Sequence, residues 1–129
     1  MDLMAKRGVS TLPIGEAVVI ILQVLDGLTY THNAEIPNVR LADGSLAKGR
    51  GWIHQDLKPG NIFFTSVGGK QVAKIGDYGL SKAFDQAGLS GKTMTGNVVG
   101  TPYFRPRQQV IDYKYAQPDV DVWAAAACM

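Results

Sequence analysis

From Ile14 to His32 the apolar residues Ile14, Ala17, Val18, Ile21, Leu22, Leu25 and Leu28 recur at the i, i+3, i+4, i+7 spacing of one helical face. The spacing predicts a helix, with Pro13 suited to its first turn and Glu16 close behind. The β-branched run Val18 to Ile21 would also suit a strand, but the length of the periodic segment favours helix. Val19, Ile20 and Val24 widen the stripe and predict burial on most sides. Between Glu35 and Arg50, Val39, Leu41 and Leu46 alternate roughly about Asp43-Gly44, which predicts a small hairpin. A second hairpin is expected to join Ile62 to Thr65 with Gln71 to Ile75, because Gly68-Gly69 supplies the positive φ of a tight connection. The stretch from Ser81 to Thr101 is rich in glycine and hydroxyl residues with little periodicity and reads as a long loop. From Asp121 onward, Asp-Val-Trp-Ala-Ala-Ala-Ala-Cys-Met rises in helix propensity without a stop signal. The chain is therefore expected to end inside a helix, as part of something larger.

Composition changes this picture little. The 129 residues are 46% hydrophobic and 19% charged, an ordinary globular balance that excludes disorder and collagen. Thirteen basic and eleven acidic residues leave +2, too small and too evenly spread for a nucleic-acid or membrane-surface footprint. The aromatic residues are scattered, so no stacking platform for nucleic acid is visible. The apolar runs Ala17 to Leu22 and Val122 to Met129 fall short of the roughly 18 residues that span a bilayer. The opening Met-Asp-Leu-Met-Ala-Lys-Arg-Gly does not read as a secretion signal, so a soluble, cytoplasmic protein is expected. Cys128 has no second cysteine to pair with and is expected to be a small buried thiol.

Chemistry concentrates in His54-Gln55-Asp56-Leu57-Lys58-Pro59-Gly60-Asn61. Asp56 offers a carboxylate to accept a hydroxyl proton, Lys58 a cation for a transferring phosphoryl group, and Asn61 a neutral oxygen for a hard cation. The three face one centre only if the segment is a turn, which Pro59 and Gly60 favour. Twenty-one residues after Asp56 comes Asp77, in Gly76-Asp77-Tyr78-Gly79. The flanking glycines permit an unusual backbone path at the end of the second hairpin, where a carboxylate would add to the Asn61 oxygen.

The first string resembles the catalytic loop of eukaryotic-type protein kinases, His-Arg-Asp-Leu-Lys-Pro-x-Asn in the serine/threonine branch. Lys74-Ile75-Gly76-Asp77-Tyr78-Gly79 resembles that family's Asp-Phe-Gly segment. Gly100-Thr101-Pro102-Tyr103-Phe104-Arg105-Pro106-Arg107 looks like its substrate-docking segment, and Asp121-Val122-Trp123 is similar to the Asp-Val-Trp that opens the central helix of the large lobe. The resemblance implies an α+β, protein-kinase-like fold. It further implies that residues 1–129 are a partial kinase domain, a mainly helical C-terminal lobe with small β hairpins around the active site and the N-terminal lobe absent. It implies Asp56 as catalytic base, Lys58 as phosphoryl-stabilising cation, and Asn61 and Asp77 as Mg²⁺ ligands. Thr101 would hydrogen-bond toward Asp56 and Lys58, His54 would pack beneath the Asp77 turn, and Asp121 would accept backbone N–H bonds from the catalytic loop. ATP would be the phosphoryl donor and protein serine or threonine hydroxyls the acceptors, with Ser90, Thr93 and Thr95 as candidate phosphorylation sites in the long loop.

Several positions depart from the family pattern. Gln55 replaces an arginine that would receive a phosphate, Tyr78 adds a hydroxyl to the usual phenylalanine, and Arg105 and Arg107 stand in the docking segment, the latter at a glutamate position. No Gly-x-Gly-x-x-Gly loop occurs; Gly91 to Gly96 has P-loop-like spacing, but Asn97 replaces the lysine. Val72-Ala73-Lys74 follows the catalytic loop and so is not the strand that anchors ATP. The isolated chain is accordingly expected to transfer no phosphate. The alternative is a non-catalytic kinase-like binding or regulatory module. Glu35 to Arg50 is longer than the family's usual link, and His32 is expected only to suit the end of its helix.

Overall fold

The computed structural model describes residues 8, 10–40, 43–78, 82–83, 102–112 and 116–129. Helix α1 (Ile14–Asn33) starts where Pro13, φ −55°, sits just outside the helix and its carbonyl accepts Glu16 N and Ala17 N, each at 3.0 Å. The proline thus caps the helix from one position earlier than the first turn. Ile21, Val24 and Leu28 form the buried stripe, while Ile14, Val18, Val19 and Leu22 are exposed. Burial on most sides, expected from the width of the apolar stripe, is not observed. Among the described residues α1 packs on one side only, against the segments Lys70–Ile75, Asp119–Ala127 and Trp52–Ile53. By length and composition alone α1 is long and apolar enough to cross a membrane, a property that the interrupted apolar runs concealed. Its Val24 and Leu28 face the hydrophobic core.

Strands β1 (Glu35–Arg40) and β2 (Leu46–Arg50) form the first hairpin, in the register Glu35↔Arg50, Ile36↔Gly49, Val39↔Ala47 and Arg40↔Leu46. Pro37 and Asn38 lie opposite Lys48 alone, a bulge at the residue that has no N–H to give. Gly51 N donates to Ala34 O at 2.7 Å and closes the base of the hairpin on the end of α1.

The chain then runs through β3 (Trp52–Ile53) and a 3₁₀ turn (Pro59–Asn61) into β4 (Ile62–Val67) and β5 (Lys70–Ile75). These last two pair from Ile62↔Ile75 to Val67↔Lys70 across Gly68 and Gly69, φ +56° and +77°, the geometry that a two-residue connection requires. A short strand β6 (Lys82–Ala83) pairs with β3. It falls inside the segment expected to be loop, because a two-residue strand held by main-chain bonds leaves no periodic trace. A second 3₁₀ turn (Pro102–Phe104) precedes helix α2 (Arg107–Ile111), and helix α3 (Asp119–Ala127) follows.

The α+β class holds, with three two-stranded antiparallel sheets among the described residues and more strand than the expected helical lobe with small hairpins. Val24 and Leu28 of α1 meet Leu57, Ile62, Ala73, Ala124 and Ala125 in the principal core; Ile53, Ala116 and Val120 form a second cluster. Cys128 packs against the first cluster, and burial pushes its thiol pKa up to about 11.

Leu28 is fully buried in that core. Leu28→Ala is expected to cost about 2–5 kcal/mol. Leu22→Ala, on the exposed side, should stay within about 0.5 kcal/mol. Urea unfolding of the protein carrying this chain checks both, and equal midpoints for the two variants would contradict the packing described.

Candidate active site

The loop between β3 and β4 is a turn, as convergence of its polar groups requires. Lys58 is extended at φ −159°, Pro59 opens the 3₁₀ turn, and Asn61 N donates to Lys58 O at 2.9 Å. Lys58 Nζ lies 2.9 Å from Asp56 Oδ2. Asn61 Nδ2 donates to the Asp56 carbonyl at 2.8 Å, which fixes the amide so that its oxygen is directed away from the Asp56 main chain. Carboxylate, ammonium and amide therefore come together over six residues.

What holds this turn is Asp121, in the first turn of α3 and only 1% exposed. Its Oδ2 accepts His54 N at 2.7 Å and its Oδ1 accepts Gln55 N at 2.8 Å. His32 Nε2 approaches Oδ2 at 2.9 Å from the end of α1. His54 N and Gln55 N thus reach the two oxygens of one carboxylate, and directly after them the chain turns through Gln55, which is left-handed, φ +67°. The carbonyl of Gln55 accepts Gln109 Nε2 at 2.7 Å.

His54 is fully buried and works as a bracket rather than as a base. Its Nε2 donates to Gly76 O at 2.9 Å and its Nδ1 accepts Asp56 N at 3.2 Å, so these two bonds set its tautomer. Gly76 N in turn donates to Asn61 O at 3.0 Å. The residue before Asp77 is thus gripped at its C=O by His54 and at its N–H by Asn61. Asp77 follows in the left-handed region, φ +60°, with its side chain exposed. Gln55 and Asp77 are the two non-glycine residues with positive φ among those described, a strain of about 1–3 kcal/mol each that surrounding bonds must offset. The Tyr78 ring lies 4.6 Å from that of His54, tilted by 60°, and its hydroxyl reaches Thr31 Oγ1 at 3.5 Å. Burial raises the Tyr78 phenol pKa above its ordinary value, and the Thr31 contact opposes that in part.

Of the residues singled out in the sequence, Asp56, Lys58 and Asn61 converge, His54 and Asp121 brace them, and Asp77 stands beside them through Gly76. Thr101, Ser90, Thr93 and Thr95 lie outside the described residues. Arg105 is buried, and Arg107 is exposed in the first turn of α2. His32 was expected only to complement a helix end, and it instead braces Asp121. That partner is 89 residues away, beyond any local pattern. Gln109, holding a carbonyl of the loop, and Gln23, whose Oε1 accepts Ala73 N at 2.7 Å, left no signal either.

Among the described residues no group of three His, Cys, Asp or Glu side chains surrounds a point. A metal here would take the Asp77 carboxylate and the Asn61 amide oxygen, and the rest of its shell from phosphate and water. Hard oxygen donors with few protein ligands fit Mg²⁺.

Over residues 1–129 the sequence matches the protein kinase domain family. It is 34% identical to the serine/threonine-protein kinase TOUSLED of Arabidopsis thaliana over 121 residues, 92% of this chain and 15% of that protein. It is 32% identical over 120 residues to the serine/threonine-protein kinase SSN3 of Scheffersomyces stipitis, covering 91% of this chain and 23% of that protein. With the cyclin-dependent kinase 1 of Encephalitozoon cuniculi it shares 41% identity over 107 residues, 83% of this chain and 28% of that protein. The chain thus spans less than a third of the length of these relatives.

The bracket formed by His54 makes a sharp expectation. His54→Phe keeps a ring in the cavity but leaves the Gly76 carbonyl and the Asp56 N–H without their partner, at about 1–3 kcal/mol for each orphaned group. A loss of unfolding free energy of that order, read as a lowered denaturation midpoint at unchanged m value, is the expected result. An unshifted midpoint would mean that the ring only fills space.

Proposed function

The chain belongs to the protein kinase domain family, and from that membership we propose that residues 1–129 are part of the large lobe of a serine/threonine protein kinase that uses ATP and Mg²⁺. The single observation that carries the reading is the convergence of Asp56, Lys58 and Asn61 in one turn, with Asp77 fixed beside them through Gly76.

In this reading the Asp56 carboxylate accepts the proton of the attacking serine or threonine hydroxyl as that oxygen bonds to phosphorus and the bond to the leaving diphosphate breaks. Lys58, already 2.9 Å from Asp56, lies within reach of the same phosphoryl group and offsets its negative charge. Asn61 and Asp77 would hold Mg²⁺, which when bound neutralises phosphate charge and aligns the transferring group. The bond from Asn61 Nδ2 to the Asp56 carbonyl leaves the Asn61 oxygen for the metal, and the grip on Gly76 holds the backbone immediately before Asp77. A lysine two residues after the base favours serine and threonine over tyrosine as acceptors, which accords with the named relatives being serine/threonine kinases. Gln55 carries no charge, so a phosphate on Ser90, Thr93 or Thr95 would gain no cation from residue 55.

In the full-length protein, Asp56→Asn is expected to lower phosphoryl transfer by at least the ~10²–10⁴-fold of a lost general base while ATP binding persists. Asp77→Asn should abolish Mg²⁺-dependent turnover. Steady-state kinetics together with nucleotide-binding calorimetry test both. Near-normal turnover in either variant would overturn the assignment in favour of a binding module.

A further inference from the structure

Gln109 is 2% exposed in the middle of α2, where an aliphatic side chain would fill the space without a polar group to satisfy. Its carboxamide has one evident task. Nε2 donates to the Gln55 carbonyl at 2.7 Å, across 54 residues of sequence, and only the NH₂ end of the amide can face a carbonyl oxygen.

That carbonyl is not an ordinary acceptor. It belongs to the planar Gln55–Asp56 peptide, whose other end, the Asp56 N–H, donates to His54 Nδ1 at 3.2 Å. Gln55 itself is left-handed, a conformation that a glutamine disfavours, and its own N–H is taken by Asp121 Oδ1 at 2.8 Å. The peptide before Gln55 is thus held by α3, and the peptide after it by His54 on one edge and by α2 on the other. Without the α2 contact, the Gln55–Asp56 plane loses the shorter of these two holds and can rotate toward an ordinary φ, taking Asp56 with it. The adjacent Gln108 serves a different end, its Nε2 donating to Asp119 Oδ2 at 2.9 Å on the surface between α2 and α3.

We infer that Gln109 is a positioning residue for phosphoryl transfer: its buried carboxamide locks the left-handed Gln55–Asp56 peptide and thereby fixes where the Asp56 carboxylate points. The inference rests on the reading of Asp56 as the base. It also means that α2, which directly follows the segment resembling a substrate-docking element, reports its position to the base through one hydrogen bond.

The test uses the full-length protein with Gln109→Met, which keeps length and loses the donor, and Gln109→Glu, which turns an acceptor toward the carbonyl. Gln109→Met should lower kcat about tenfold with KM for ATP within about twofold, and Gln109→Glu should lower kcat further. In an Asp56→Asn background, Gln109→Met should change the residual rate less than about twofold, because its effect passes through Asp56. A residue of merely structural value would give the same fold-loss in both backgrounds. That result, or full kcat in the Met variant, overturns the inference. A second reading needs no turnover: amide exchange at Asp56 should quicken at least about tenfold in the Met variant while that at Ala73 is unchanged. Unaltered exchange at Asp56 refutes the positioning role even if Asp56→Asn proves silent, an outcome that would strike the reading of Asp56 as base instead. Gln109→Asn, which withdraws the same donor by one methylene, carries both readings if the Met variant does not fold.

Discussion

One buried carboxylate sets the geometry on which the rest depends. Asp121 receives two main-chain N–H groups from the consecutive residues His54 and Gln55 and one imidazole from the end of α1. A carboxylate taken this far from water is tolerable only when its lone pairs are used, and three donors within 3 Å use them. The cost of burial becomes a constraint on shape, since the carboxylate holds both N–H groups at the point where the chain turns through the left-handed Gln55.

From that constraint the remaining contacts follow in order. The left-handed turn at Gln55 directs the chain so that His54 faces Gly76 and Asp56 faces Lys58 and Asn61. His54 and Asn61 then grip Gly76 from opposite sides, and this aligns the end of β5 with the loop. The hydrophobic core sits directly beneath: Leu57 and Ile62 come from the loop and β4, Val24 and Leu28 from α1, and Ala124 and Ala125 from α3. The helices that supply His32 and Asp121 are therefore the same ones that the core presses together. Packing and polar bracing share their elements, so a loss in one loosens the other.

Much of this was legible in the sequence, for identifiable reasons. Helix α1 showed in its 3.6-residue period, and both hairpins showed in Asp43-Gly44 and Gly68-Gly69, because local conformational chemistry dictates such features. The turn that brings Asp56, Lys58 and Asn61 together was legible because Pro59 and Gly60 favour it within an eight-residue string. What stayed hidden is non-local. The Asp121 contact to His32 and the Gln109 contact to Gln55 join residues that no periodicity links. The pairing of β3 with β6 rests on main-chain groups alone. The width of the buried face on α1 was overestimated because apolar composition says which residues are able to be buried, whereas burial itself needs a partner surface.

The central claim is that the Asp121 carboxylate, rather than the loop's own sequence, imposes the conformation that presents Asp56. Amide hydrogen exchange at His54 and Gln55, compared between the full-length protein and its Asp121→Asn variant, tests it most directly. An asparagine retains one acceptor oxygen and turns an NH₂ toward the second donor, so at least one of the two amides must lose its partner. The account predicts exchange at least about tenfold faster at that amide, with the β4–β5 pairing still protected and phosphoryl transfer falling in step. Unchanged protection at both amides, with turnover intact, would contradict it.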